Sequence, residues 1–145
     1  KTLTTIDVSH WNTSACTNMY AMFSGCSALT SINVSNWNTS NVTTLTWLFY
    51  NCKTLTSIDV SHWNTSNVTT MECVFWGCSS LTSLNLSHFD TNNIEKMGDM
   101  FKNCTKLREI KISQSTYNKM NTLKGSNSLS YYIGKSEYVF DVVNK

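Results

Sequence analysis

Charged residues are scarce in this chain of 145 residues: they make up 14% of the sequence, and the formal net charge is only +2. So small a charge creates no field that would favour nucleic acid or anionic lipid as a partner. Long hydrophobic runs are missing too, since no segment approaches the roughly 18 consecutive apolar residues that a transmembrane helix needs. We therefore expect no nucleic-acid binding and no membrane insertion by this segment, and we expect it to be a monomer.

Recognisable catalytic patterns are also missing. The sequence contains no Ser/His/acid order, glycine-rich phosphate loop, H-E-x-x-H segment or paired-carboxylate spacing. The apolar positions are all taken up by an internal repeat, which leaves no separate set of residues for a catalytic cavity. The sequence therefore predicts a protein that is not an enzyme, with no cofactor and no metal centre.

The chain does contain an internal repeat: a polar segment, rich in Ser, Thr and Asn, recurs every 26 residues. The opening leucines of the copies are Leu3, Leu29, Leu55, Leu81 and Leu107. Three other columns keep the same register: Trp11, Trp37, Trp63 and Phe89; Phe23, Phe49, Phe75 and Phe101; and Cys26, Cys52, Cys78 and Cys104. A period held without insertions predicts a repeat architecture in which each copy buries its apolar edge against its neighbours.

Each copy has two halves with different periodicity. In the third copy, Ile58 and Val60 alternate with polar residues, which is typical of a strand with one buried face. Apolar residues then recur every three or four positions over residues 68–78, which predicts a short helix. Gly and Asn alone fill the column where that helix should end, and both tolerate the left-handed conformation that terminates helices. The members of this column are Gly25, Asn51, Gly77 and Asn103.

We therefore predict an α/β solenoid over residues 1–112, a leucine-rich-repeat-like right-handed coil with a parallel sheet on one face and short helices on the other. Beyond residue 112 the period fails. Residues 128–143 alternate in polarity around Gly134 and Lys135, which predicts a β-hairpin. Residues 113–145 are accordingly expected to form a C-terminal β cap over the last copy.

The repeated pattern L-x-x-[IL]-x-[VL]-S-x-W-[ND]-T-S-N-V-T-x-M-x-x-M-F-x-x-C resembles the 26-residue repeats of the BspA-like leucine-rich surface proteins of bacteria. The resemblance covers roughly residues 1–112. It implies a secreted or cell-surface location and a link to cell adhesion. Residues 1–3 correspond to residues 53–55, which lie inside the repeated pattern. We therefore predict that this chain is a segment of a longer polypeptide and that any targeting signal lies outside it.

Positions that vary between copies indicate binding more directly, because the architecture does not dictate them. Trp47, Tyr50 and Trp76 occupy two such columns in adjacent copies. We predict that they form an exposed aromatic patch, a feature typical of interaction surfaces. The alternative is that these side chains pack against the neighbouring copy.

A second candidate lies on the predicted outer face of the sheet. Asp59 and His62 belong to the third copy, and His88 occupies the His62 column in the fourth. As a ligand-binding site they would hold a metal ion or respond to mild acid. The alternative is a set of ordinary solvated polar side chains.

The recurring columns have simpler interpretations. The cysteines are expected to be buried free thiols, because one residue per copy supplies neither the paired ligands of a zinc site nor the spacing of a disulfide. The Trp/Phe column is expected in the core. The Thr column of Thr13, Thr39, Thr65 and Thr91 is expected to bond the local backbone, with ice binding as the alternative.

Two functions follow from these observations. The first is a non-enzymatic surface interaction module, of adhesin type, that binds a host extracellular protein or a glycan. The alternative is a structural stalk or spacer of a larger surface protein with no ligand of its own.

Overall fold

The computed structural model describes residues 3–123 and 139–144, and most of these residues lie in turns and irregular chain. The regular elements among them are short. They are β1 (Thr5–Ile6), β2 (Ser31–Ile32), β3 (Ser83–Leu86), β4 (Glu109–Ser113), α1 (Gln114–Thr122) and β5 (Val139–Val143).

The strands form two separate parallel sheets. In the first, β1 pairs with β2, and Ile6 lies opposite Ile32. In the second, the order is β3-β4-β5, and Ile110 of β4 lies between Leu84 and Phe140. Leu84 and Ile110 are buried while their neighbours along the strand are more exposed, so one face of this sheet borders the core.

The predicted fold class is wrong. The described residues form no right-handed solenoid of the leucine-rich-repeat type. The sheet is divided in two, because residues 55–60 of the third copy form no strand. The single helix of the described region, α1, lies after the repeat rather than inside each copy. The architecture is therefore two small parallel sheets and one helix joined by extensive turns.

The second half of each copy shows why the predicted short helices do not form. An α-helix needs each amide to bond the carbonyl four residues earlier. In the first three copies, alternate amides donate instead to carbonyls 25 positions later, in the next copy, at N···O distances of 2.7–3.1 Å. In the second copy the donors are Leu45, Trp47, Phe49 and Asn51. Apolar spacing of three and four thus arises from consecutive tight turns that point their apolar side chains inward.

The left-handed conformation predicted for the Gly/Asn column is confirmed. The φ angles are +77° for Gly25, +58° for Asn51, +74° for Gly77 and +62° for Asn103. These residues end a tight turn rather than a helix. The residue preference was interpreted correctly because left-handed backbone favours Gly and Asn in either setting.

Aromatic rings from successive copies stack in the core. Phe23 lies 5.7 Å from Phe49, and Phe49 lies 5.9 Å from Phe75, between ring centroids. Trp37 and Trp63 stack at 6.2 Å with an interplanar angle of 2°, and both are buried. The prediction that the Trp/Phe column is core is confirmed for Trp37, Trp63 and Phe89, whereas Trp11 in the first copy is exposed.

The chain beyond the repeat was predicted only in part. Helix α1 was not expected; it begins after Ser113, whose hydroxyl accepts a hydrogen bond from the Thr116 amide at 3.1 Å. Strand β5 lies within the segment expected to form a hairpin, and it pairs in parallel with β4. The rest of that hairpin, residues 128–138, lies outside the described residues.

Candidate ligand-binding surface

The three aromatic residues of the predicted patch lie together, and a fourth, which sequence reasoning missed, extends them. We call this set the exposed aromatic row; its members are Tyr20, Trp47, Tyr50 and Trp76. Trp47 and Tyr50 lie at the two ends of one tight turn, which the Tyr50 amide closes by donating to the Trp47 carbonyl at 3.1 Å. Trp76 takes the place of Tyr50 in the next copy, where its amide donates to the Cys73 carbonyl at 3.2 Å. The same turn in neighbouring copies therefore brings the rings together.

Ring contacts run without a break along the row. The Tyr20 and Trp47 centroids lie 5.5 Å apart and those of Trp47 and Tyr50 5.6 Å apart, both pairs tilted by just over 30°. Tyr50 and Trp76 stack at 4.5 Å with an interplanar angle of 9°. Tyr20 is 51% exposed and Trp47 41%, while Tyr50 and Trp76 are partly buried. The row is thus a continuous aromatic surface that spans three copies.

Trp47 is held in place by an unusual backbone conformation. Its φ angle is +61°, and the same column in the other copies, Ala21, Cys73 and Asp99, has φ near +54°. A left-handed L-residue costs about 1–2 kcal/mol, which the hydrogen bond from the Trp47 amide to the Glu72 carbonyl at 3.0 Å helps to offset. Sequence reasoning recognised this column as variable but missed its left-handed conformation, because the four residue types share no backbone preference.

A shallow groove of about 390 Å³ adjoins the exposed aromatic row at Trp76. We call it the amide groove; the side chains that line it are Asn51, Lys53, Trp76, Ser79, Asn103 and Thr105. Gly77 also lines it, and a Cβ atom there would collide with the Asn51 side chain. Glycine at position 77 therefore leaves room for the Asn51 side chain, which occupies the space that a Cβ would take. Sequence reasoning recognised the Gly/Asn column but not this consequence.

The structure brings Asp59 and His62 near each other, and the grouping of both with His88 stays a prediction. Asp59 accepts a hydrogen bond from the Ser61 amide at 2.9 Å, and bonds from Ser61 lower the pKa of this carboxyl, with a smaller contribution from His62 nearby. His62 and His88 are exposed. His88 lines a different pocket of about 250 Å³ with Asp90 and three serines. Across residues 3–123 and 139–144, no three or more His, Cys, Asp or Glu side chains are arranged to hold a metal ion.

The buried thiols of the cysteine column have low reactivity. All six cysteines are free thiols; Cys52, Cys78 and Cys104 are buried, as predicted, whereas Cys26 in the same column is only half-buried. Each of these three donates from Sγ to the carbonyl of a Phe in the preceding copy, at 2.9–3.2 Å. Burial raises the pKa of Cys52 and Cys104 to about 12 and that of Cys78 as well, so these thiols are poor nucleophiles.

The Thr column is buried and its hydroxyls bond backbone, but in the next copy rather than locally as predicted. Thr39 donates to the Asn64 carbonyl and Thr65 to the Asp90 carbonyl, both at 2.9 Å. Because these hydroxyls are inside the molecule, they offer no array to ice. The alternative of ice binding by this column is therefore excluded.

These features define a repeat protein in which copies are joined by buried aromatic and thiol columns and carry an exposed aromatic row on one side. A family model described as "Mycoplasma protein of unknown function, DUF285" matches residues 1–115, and the chain belongs to this family. No curated protein and no solved structure matches the chain. In the described part of the chain, no helix has the length and apolar character needed to cross a bilayer.

Proposed function

We propose that this chain is a non-enzymatic interaction module of a bacterial surface protein, and that it binds its partner through the exposed aromatic row. The observation that carries the proposal is the unbroken set of ring contacts from Tyr20 to Trp76 on the outside of the molecule. Such contiguous exposed aromatic surface is characteristic of interaction sites.

The repeat itself does not require these aromatic residues. In the first copy, Ala21 stands where the second has Trp47, and Ser24 stands where Tyr50 and Trp76 do. Ala21 has the same left-handed backbone as Trp47, so the turn forms without an aromatic side chain. Large side chains that the architecture does not need, and that water reaches, are best explained by a ligand.

The resemblance to BspA-like surface proteins supports an adhesin-type role and a secreted or surface location. It also supports a two-part organisation, with repeats in residues 1–112 and a C-terminal segment in residues 113–145. The partner would be a host extracellular protein or glycan.

The test replaces the row with residues that the first copy already uses. The triple variant Trp47→Ala, Tyr50→Ser, Trp76→Ser should keep the fold and lose at least tenfold in affinity for whatever the wild-type chain binds on immobilised extracellular-matrix proteins and glycans. Aromatic residues at the centre of an interface each contribute about 1–2 kcal/mol or more. Surface plasmon resonance measures the loss, and thermal unfolding checks the fold.

A matched control changes the second candidate surface in the same way. Asp59→Asn and His62→Asn introduce residues found at Asn33 and Asn36 of the second copy. This double variant should bind like the wild type. Equal binding by the wild type and the triple variant would refute the role of the exposed aromatic row.

A structural stalk or spacer is the second candidate. It is favoured by the regular copy-to-copy hydrogen bonds, which join the second halves of adjacent copies from Met19 to Lys102. A spacer predicts no binding by the wild-type chain to any matrix protein or glycan. It also predicts that the triple variant supports attachment as well as the wild type when placed in the longer surface protein.

A further inference from the structure

We infer that the ligand of this surface is an oligosaccharide, seated against Trp76 and in the amide groove. This inference rests on the proposed function and specifies the chemical class of its ligand. It is carried by one juxtaposition: the end of the exposed aromatic row is also a wall of a groove lined by amides and hydroxyls.

Trp76 belongs to both features. Tyr50 stacks on it at 4.5 Å and fixes the plane of the indole, and Trp76 also lines the groove beside Asn103 and Thr105 of the next copy. A pyranose ring presents an apolar face of C–H groups and a rim of hydroxyls. A rigid indole next to polar side chains matches both parts of that ring at once.

The groove supplies hydrogen-bonding groups that the fold does not use. Among the described residues, the side-chain amides of Asn51 and Asn103 have no hydrogen-bond partner, and the Lys53 ammonium forms no ion pair. Each amide has two donors and an acceptor with two lone pairs. Two adjacent hydroxyls of a sugar need this mixture of donors and acceptors.

The hydroxyl groups of the groove differ from its amides, because their protons already bond backbone carbonyls of the protein. Ser79 donates to the Lys53 carbonyl at 3.2 Å, so its oxygen is left to accept. The groove therefore combines a hydroxyl acceptor with the amide groups of Asn51 and Asn103, which flank Gly77 in the same column. The Asn51 side chain packs directly over the Gly77 backbone, in the space that a Cβ would take, and this fixes that amide at the groove.

The size of the groove also favours an oligosaccharide over a folded protein. Sites for small ligands typically enclose about 300–1,000 Å³, and the groove encloses about 390 Å³. A stable protein interface buries about 800 Å² on each partner and is centred on apolar anchors. Unused amides at such a centre would be desolvated at a cost unless the partner satisfied every one of them.

Two variants separate the groove from the fold. Asn51→Gly with Asn103→Gly removes both amides and keeps residues that the left-handed column already uses at Gly25 and Gly77. Trp76→Ser removes the indole. Each should weaken oligosaccharide binding at least tenfold, whereas the Asp59→Asn, His62→Asn control should leave it unchanged.

The probes are N-acetyllactosamine oligomers, β-1,4-linked N-acetylglucosamine oligomers and sialylated lactose, first on an array and then by calorimetric titration. Binding of one of these, lost in both groove variants, would support the inference. Binding that persists in both variants would overturn it.

Two further outcomes distinguish this inference from the proposed function. If no oligosaccharide binds while an enzymatically deglycosylated matrix protein does, and the triple aromatic variant loses that binding, the oligosaccharide inference fails and the interaction module stands. If neither oligosaccharides nor matrix proteins bind, both fail.

Discussion

Two sets of aromatic side chains run through this molecule in parallel, and they differ in burial and in how regularly they recur between copies. The Phe column is buried, identical in four copies and stacked at 5.7–6.4 Å. The exposed aromatic row is partly open to water, and its positions are occupied by Ala, Ser, Cys, Thr, Gly, Asp, Glu or Lys in other copies. Aromatic character therefore says little about the role of a residue in this protein.

Recurrence is what separates the two sets. A position that must fill the interface between every pair of copies is constrained in every copy, because each interface has the same shape. A position that faces outward is free to vary, so an aromatic residue there needs another cause. The comparison between Phe75 and its neighbour Trp76 expresses this difference most directly.

The largest expected effect is on stability and tests that pair. Phe75→Ala should lower the free energy of unfolding by about 3–5 kcal/mol, because it empties a buried site between Phe49 and Phe101. Trp76→Ser should lower it by about 1 kcal/mol or less, since Trp76 is partly exposed and Ser24 occupies the same column. Urea denaturation measures both. Similar losses for the two variants would break the comparison.

The stability of the protein should depend on pH through the cysteines that are buried between copies. The thiols of Cys52, Cys78 and Cys104 have a raised pKa in the folded chain, whereas an unfolded thiol ionises near pH 9.0. The stabilisation from these protonated thiols is complete below pH 9 and is lost as the pH rises toward 12. The free energy of unfolding should fall by about 1 kcal/mol for each thiol between pH 9 and pH 10.

The control for this prediction removes one thiol. In Cys78→Ala the fall in the free energy of unfolding between pH 9 and pH 10 should be about 1 kcal/mol smaller than in the wild type. Urea denaturation at the two pH values measures this fall in both proteins. An equal fall would show that the pH dependence does not come from the buried cysteine column.

Two glycines of the left-handed column provide a smaller effect. Gly25→Ala should cost about 1 kcal/mol of stability from backbone strain alone, since nothing lies within 4 Å of the new Cβ. Gly77→Ala should cost about 2 kcal/mol, because its Cβ also meets the Asn51 side chain. Thermal unfolding of the two variants measures the difference. A larger loss for Gly25→Ala would show that the amide groove is not tightly shaped at Gly77.

The smallest effect is expected at Asp59. Asn33 and Asn85 occupy the same column and accept from the serine amide two residues later at 3.1 Å, as Asp59 does at 2.9 Å. Asp59→Asn should therefore change the free energy of unfolding at pH 7 by less than about 0.5 kcal/mol. Urea denaturation tests this, and a loss above 1 kcal/mol would mean that the carboxylate has a role that the fold does not reveal.

Part of the fold was predictable because it depends on local requirements. The buried columns followed from recurrence, and the left-handed backbone at Asn51 and Gly77 followed from residue type. The prediction of short helices was wrong. Their apolar spacing fits a helix and a series of tight turns equally well, and only the amide bonds to the next copy decide between them. Helix α1 was missed because it lies where the period no longer guides interpretation.

The candidate site was predictable to a similar extent. Trp47, Tyr50 and Trp76 were found because they vary between copies. Tyr20 was missed because it lies in a different column and contacts Trp47 across the boundary between copies. The grouping of Asp59 and His62 with His88 was expected from the columns and stays a prediction, and His88 also lines a pocket with Asp90 and three serines.

By itself, the sequence determined the 26-residue period, which recurring columns are buried between copies, and where glycine or asparagine must turn the chain, because each depends on residue type and spacing alone. Only the tertiary structure decided that the second halves are turns, and that Trp76 lies beside two amides without partners. Those features depend on bonds and contacts between residues about 25 or more positions apart, and no local preference encodes which of two competing hydrogen-bond partners an amide will take.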